Sequence, residues 1–270
     1  MNFTGIIQYW IGKDPAALDR IDSRRKVMRE FCSTTAKLVA TTLPFTLGAL
    51  FNKAYGQSNT QITDVLNYAL TLEYLESEFY KSGLDAGVVP AGTPAENAIK
   101  TIRDHEMAHV SFLSTVLQSM NVTPVTKPDF DFTAGGTFSD VFTNYDTFLA
   151  VAQTFEDTGV RAYKGSAGDL ISNNTVLTAT LQIHSVEARH ASHIRQMRKA
   201  RGTLLKPWVT GNDIGGVGAA VQFSYDGEEN VVQGGVDISA LVSDNSATEA
   251  FDEPLGPDQI MAILSPFFIP

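Results

Sequence analysis

The sequence predicts an all-α protein: a four-helix bundle with one long crossover and an irregular C-terminal extension. Three observations carry this. Four stretches repeat their apolar residues with a period near 3.6. The links between the first and second helices and between the third and fourth are short, while the link between the second and third is long. The composition, 43% hydrophobic and 19% charged, is that of a globular chain with a core and excludes wholesale disorder.

The 270 residues carry a net charge of −10, which argues against a non-specific nucleic-acid binder, since that role needs a basic face. The charge is unevenly spread. Residues 1–57 have a balance of +4 and the remainder −14. The single cysteine, Cys32, excludes an intramolecular disulfide, and Cys-based zinc sites and iron–sulfur clusters as well.

Residues 1–57 read as an export leader. Ser23-Arg24-Arg25-Lys26-Val27-Met28-Arg29 closes a charged region. Residues 31–52 then carry only Lys37, and Ala54-Tyr55-Gly56 offers small residues before Gln57. The arginine pair directly before the apolar run resembles a twin-arginine signal, which places the protein outside the cytoplasm, in the periplasm or an equivalent compartment. The alternative is a retained anchor attaching the protein to the membrane through residues 31–52. That run is short for spanning, which takes about 20 predominantly apolar residues, and it contains Lys37, Pro44 and several threonines. No leucine stands three residues before Cys32, so lipidation is not expected.

Residues 58–206 hold the bundle. The first helix is expected over 62–82, capped by Thr63 or Asp64 and stopped by Gly83. The second is expected over 93–120, with Thr93 as cap, Pro94 in the first turn and Glu96 suiting the helix dipole. The third and fourth are expected over 144–170 and 174–201, the last ending at Gly202. Residues 207–270 differ: they have no Lys or Arg and ten acidic residues. They read as a cover wrapped on the bundle, with 217–225 and 230–238 as short strands or irregular chain and 258–264 as a short helix. The basic group between Arg189 and Lys206 reads as a solvated face or a partner for this acidic tail.

Each helix carries polar residues inside its apolar stripe. Glu73 and Glu76 interrupt the first stripe, Glu106 and His109 the second, Glu156 the third, and Glu187 and His190 the fourth. A lone buried carboxylate costs several kcal/mol unless it is paired or bound to metal. Carboxylates in every stripe should therefore meet in one core, where two divalent cations would neutralise four glutamates. The spacings repeat. Glu73 precedes Tyr80 by seven residues and Glu156 precedes Tyr163 by seven. Glu106-x-x-His109 and Glu187-x-x-His190 each put a carboxylate and an imidazole one turn apart. Two such pairs in a chain with only five histidines are improbable by chance. The order describes two similar helical hairpins, as a pseudo-twofold metal site requires.

These motifs resemble the ferritin-like di-iron carboxylate superfamily, in which two helices each give a Glu and two each give a Glu-x-x-His. The resemblance runs from Ile62 to about Arg201. The leader, Glu73-Tyr74-Leu75-Glu76 and Phe251-Asp252-Glu253-Pro254-Leu255 resemble its exported, desiccation-related branch, whose activity is poorly defined. The resemblance implies Glu73 and Glu156 as terminal ligands, Glu106 and Glu187 as bridges, and one metal on each of His109 and His190. It implies Tyr80 and Tyr163 beside the site as hydrogen-bond partners or electron donors. The cofactor is then two iron ions, or manganese in their place, and the partners are metal ions with dioxygen or peroxide. The implied activity is that of an oxidase, ferroxidase or peroxidase-like protein. The other class is a non-enzymatic protective or scaffold protein that uses the metal structurally. A homo-oligomer is compatible with either.

One motif competes. His105-Glu106-Met107-Ala108-His109 matches H-E-x-x-H, in which both histidines bind one zinc and the glutamate is a general base. That hydrolase reading leaves Glu73, Glu156, Glu187 and His190 without a role. Glu76 stands between an extra ligand and a supporting carboxylate. His105 reads as supporting or exposed, His184 as structural and His193 as facing solvent.

Overall fold

The computed structural model describes residues 59–269. The expected leader, with Cys32 and the run 31–52, lies outside them. Among the described residues, no helix is long and apolar enough to cross a membrane.

Four long helices form: α1 (Asn59–Ala86), α2 (Pro94–Ser119), α3 (Tyr145–Ser166) and α4 (Asn174–Ala200). α1 packs along α2 and α3 along α4, giving two hairpins; α1 lies against α3 and α2 against α4. Residues 120–144 make the long crossover. Side-chain caps satisfy N–H groups that a helix start leaves unpaired. Thr93 accepts from the Glu96 N–H, Asn144 from those of Asp146 and Thr147, and Asn173 from that of Val176. The third helix tightens into a 3₁₀ turn, Ala167–Leu170, where the sequence suggested continued α-helix.

Two expected signals in α1 act differently. Thr63 and Asp64 lie inside the helix, and the Thr63 hydroxyl bonds back to the Thr60 carbonyl at 2.9 Å. Gly83 does not stop the helix. A Cβ there would come within 2.2 Å of the Phe148 ring, so the glycine lets α1 and α3 approach. The stop is Gly87, whose φ of +70° suits glycine. Gly87 N–H bonds to the Leu84 carbonyl at 3.1 Å and Val88 N–H to the Gly83 carbonyl at 3.2 Å, the paired pattern of a Schellman ending.

The α1–α3 contact centres on Phe79, stacked on Phe148 with centroids 4.8 Å apart and edge-on to Phe155 at 5.1 Å. Such pairs each add about 1 kcal/mol beyond area burial.

α3 is buried all round, from Phe148 to Tyr163. One face meets the bundle; the other meets residues 207–269. Arg161 donates to the carbonyls of Glu253, Ser224 and Asp226, and pairs with Glu228 at 2.8 Å. Leu255 N–H bonds to the Arg161 carbonyl at 3.2 Å, and Gly165 admits the Leu255 backbone, whose oxygen would lie 2.0 Å from a Cβ. The chain end also meets the crossover, with Asp131 N–H on the Phe267 carbonyl and Ile269 N–H on that of Asp129.

Within this segment, α5 (Pro257–Leu264) matches the expected helix. Residues 217–225 are not a strand: they hold the 3₁₀ turn Ala219–Ser224, which buries Tyr225 against α3. Residues 230–238 hold a minimal hairpin, β1 (Val232–Gln233) with β2 (Val236–Asp237), turning at Gly234-Gly235.

The basic group divides. Lys206 pairs with Glu249 of the tail and Arg201 with exposed Asp146. Arg195 and Arg198 are buried, so the group is not simply a solvated face.

Candidate metal centre

The three-residue step within each E-x-x-H pair puts both side chains on one face of α2 and of α4. Those faces turn inward, as do Glu73 on α1 and Glu156 on α3. All four glutamates are fully buried, His190 is buried, and His109 is 12% exposed.

The geometry is close to twofold. His109 Nδ1 lies 3.1 Å from Glu73 Oε2, 3.1 Å from Glu106 Oε2 and 3.2 Å from Glu187 Oε1. His190 Nδ1 lies 2.8 Å from Glu106 Oε1, 3.2 Å from Glu187 Oε2 and 3.4 Å from Glu156 Oε2. Glu106 and Glu187 thus turn one oxygen to each histidine. The tyrosines cross between hairpins: Tyr80 on α1 donates to Glu156 Oε1 at 2.5 Å, and Tyr163 on α3 donates to Glu73 Oε1. The structure thus brings together all eight residues singled out from the sequence spacing.

The donors form two groups that can each hold a metal ion. One is Glu73, Glu106, His109 and Glu187; the other is Glu106, Glu156, Glu187 and His190. The fit to cations shows in the oxygens. Glu106 Oε1, Glu156 Oε2 and Glu187 Oε1 are buried and near an imidazole, yet none is in hydrogen-bonding line with a donor. Buried carboxylate lone pairs of this kind suit a cation. The set of imidazole and carboxylate donors suits iron, manganese or zinc.

Without metal, protons take the place of positive charge. Burial pushes Glu156 up to about 7, against the opposing pull of His190. Glu106 and Glu76 are raised well above the ordinary carboxylate range, by burial first and then by the neighbouring Glu187. Burial also works against ionised Glu187, but the adjoining imidazoles of His109 and His190 hold it at about 2. Both histidines are raised well above their ordinary value. Burial opposes their charge, and the surrounding carboxylates overcome it. Tyr80 and Tyr163 are kept protonated by burial, reinforced by Glu156 and Glu73 respectively.

Glu76, ambiguous in the sequence, belongs to this core. It is 2% exposed, and its Oε2 has no hydrogen-bond partner among the described residues. Room for it comes from Gly159, where a Cβ would lie 3.1 Å from Glu76 Oε1. The sequence signal was its place three residues after Glu73 in the same stripe.

The H-E-x-x-H arrangement does not form. His109 turns into the carboxylate cluster, while His105 is exposed and faces His190, with Nδ1 2.9 Å from His190 Nε2. The two histidines therefore do not converge on one ion, and Glu106 faces both His109 and His190 rather than open space. His193 is exposed, as expected. His184 is half-buried beside α3, and burial pushes its pKa down.

Sequence reasoning missed a second buried polar network on the opposite face of α3. Asp157 accepts from Arg195 Nη2 at 2.6 Å and from the Tyr225 hydroxyl at 2.8 Å. Gln153 donates to Tyr225 at 3.0 Å and accepts from Arg198. Its sequence trace was Asp157 directly following Glu156 on α3.

A family model describing a ferritin-like domain matches residues 61–200, just over half of the chain. No curated protein matches it.

Proposed function

The chain belongs to the ferritin-like domain family, and from that premise we propose that its buried centre holds two divalent cations for chemistry with dioxygen or peroxide. The observation that carries this reading is the sharing of Glu106 and Glu187 between two donor groups, one built on His109 and one on His190. Shared carboxylates with one oxygen turned each way suit bridging. Glu73 and Glu156, each with one oxygen toward a histidine and one toward a tyrosine, suit terminal binding. Two iron or manganese ions would supply the electron pair that dioxygen or peroxide reduction needs.

The chain's own residues do the rest. Four glutamates balance the charge of two divalent ions. His109 and His190 must give up their Nδ1 protons to bind, so occupation releases protons. Tyr80 and Tyr163 hold a proton against Glu156 and Glu73 and fix the orientation of those carboxylates. Each phenol stands one hydrogen bond from the centre, a position suited to giving up an electron together with that proton. Burial of the whole set keeps bulk water from competing for the donors.

Anaerobic titration with Fe(II), followed by exposure to air, tests the reading. Two ions per chain and rapid oxidation are expected, with both lost in Glu106→Ala and Glu187→Ala. Two bound ions that raise the melting temperature without oxidation would favour the structural use of metal. A chain that binds no metal would sink both.

Residues 1–57 are taken as a leader that delivers the folded, loaded protein outside the cytoplasm; the support is the arginine pair ahead of the apolar run. Expression in hosts with and without twin-arginine transport should give a shortened extracytoplasmic product only in the first. A full-length membrane-bound product would favour the anchor.

A further inference from the structure

We infer that His105 is a positioning residue that makes the two metal subsites unequal, strengthening the one built on His190. This rests on the metal-centre reading above.

The observation is the contact from His105 to His190. The two rings are nearly parallel and meet edge to edge, with centroids 5.2 Å apart and planes 15° apart, and His105 Nδ1 lies 2.9 Å from His190 Nε2. An imidazole that binds a cation through Nδ1 must carry its proton on Nε2. In His190 that proton points at His105 Nδ1, which must accept it. His105 then carries its own proton on Nε2, and its exposed ring can hand that proton to water. With a cation on His190 Nδ1, His105 gives the Nε2 proton an acceptor and so supports the tautomer that presents a lone pair to the centre. It also fixes the ring plane. Groups that orient a metal-binding histidine in this way typically change metal affinity 10- to 100-fold when removed.

The other half of the centre lacks the device. His105 directly precedes Glu106 on α2, and the residue that directly precedes Glu187 on α4 is Val186. Valine cannot accept a hydrogen bond. Among the described residues, His109 makes its polar contacts through Nδ1 alone, to the three carboxylates. The pseudo-twofold that relates the glutamates and tyrosines is therefore broken at this pair of positions. The histidine that made the zinc-protease motif legible has an orienting role here.

Co(II) titration followed by visible absorption tests this without reference to activity. Wild-type protein should bind two ions in two steps. His105→Phe, which keeps a ring and removes the acceptor, should weaken one step about 10- to 100-fold. His105→Asn, which restores an acceptor, should recover part of the loss. In a His109→Ala background the His105→Phe effect should persist, and in a His190→Ala background it should vanish. Circular dichroism on each variant checks that the helices are intact. Two ions bound by wild type with no change in His105→Phe, or equal weakening of both steps, overturns the inference and leaves the metal centre standing. No Co(II) bound by wild type defeats the metal-centre reading itself.

Discussion

Metal-free protein should lose stability as the pH rises from about 5 to 8, and two equivalents of Co(II) or Mn(II) should reverse that slope. The sign follows from the protons the centre retains. Glu156 is held near 7 in the fold against an ordinary 4.5. Its contribution is complete below 4.5 and is lost as the pH climbs through about 7, on the order of 3 kcal/mol. Glu76 and Glu106, also raised, act in the same direction. So do His109 and His190, whose contribution is complete below 6.5 and declines above it. Glu187 runs the other way. Held at about 2, it contributes above 4.5 and fails as the pH falls toward 2. The metal-free optimum therefore lies near pH 5. Cations compete with these protons, so their affinity and the stability they add grow with pH. Thermal melts between pH 4.5 and 8, with and without metal, check this. Parallel curves would refute it.

Asp157→Asn should cost about 3–5 kcal/mol, a large share of the 5–15 kcal/mol that typically holds a domain together. Arg195 is buried and spends its Nε and Nη2 on Asp157, at 2.6 to 3.2 Å. Neutralising the carboxylate leaves a guanidinium in the core without its paired counter-charge, and the Tyr225 hydroxyl loses its charged acceptor. The double variant Asp157→Leu/Arg195→Met removes both charges together and should lose far less, because the penalty belongs to the unpaired ion rather than to the missing bond. Urea unfolding of the single and double variants measures the difference. A single variant within 1 kcal/mol of wild type would show that the pair contributes little.

Much of the bundle was legible because helices announce themselves locally. A cap such as Thr93 with Pro94 and Glu96 acts within one turn, so its reading does not depend on the rest of the chain. The E-x-x-H pairs and the Glu-to-Tyr spacing were legible for a related reason. Helical geometry alone decides which side chains share a face. Gly83 misled because glycine serves both as a helix stop and as a point of close approach, and only the Phe148 ring distinguishes the two. Residues 217–225 stayed open between strand and irregular chain because their apolar residues answer to α3, through Tyr225, and not to a neighbouring strand.

By itself the sequence determined the four helices, the inward faces and the eight residues brought to the centre, since each follows from spacing along one helix. The tertiary structure alone decided how those residues pair. It showed that each tyrosine serves the opposite hairpin's glutamate and that Glu106 and Glu187 are shared between the halves. It brought Glu76 inside through the space at Gly159, and turned His105 toward His190 rather than toward an ion with His109. It also matched Arg195 with Asp157 beneath a C-terminal cover. The physical reason is range. Capping and helical periodicity act over a few residues, while the partner of a buried charge is whichever group packing places within about 3 Å of it, and for these residues it lies tens of positions away in the chain.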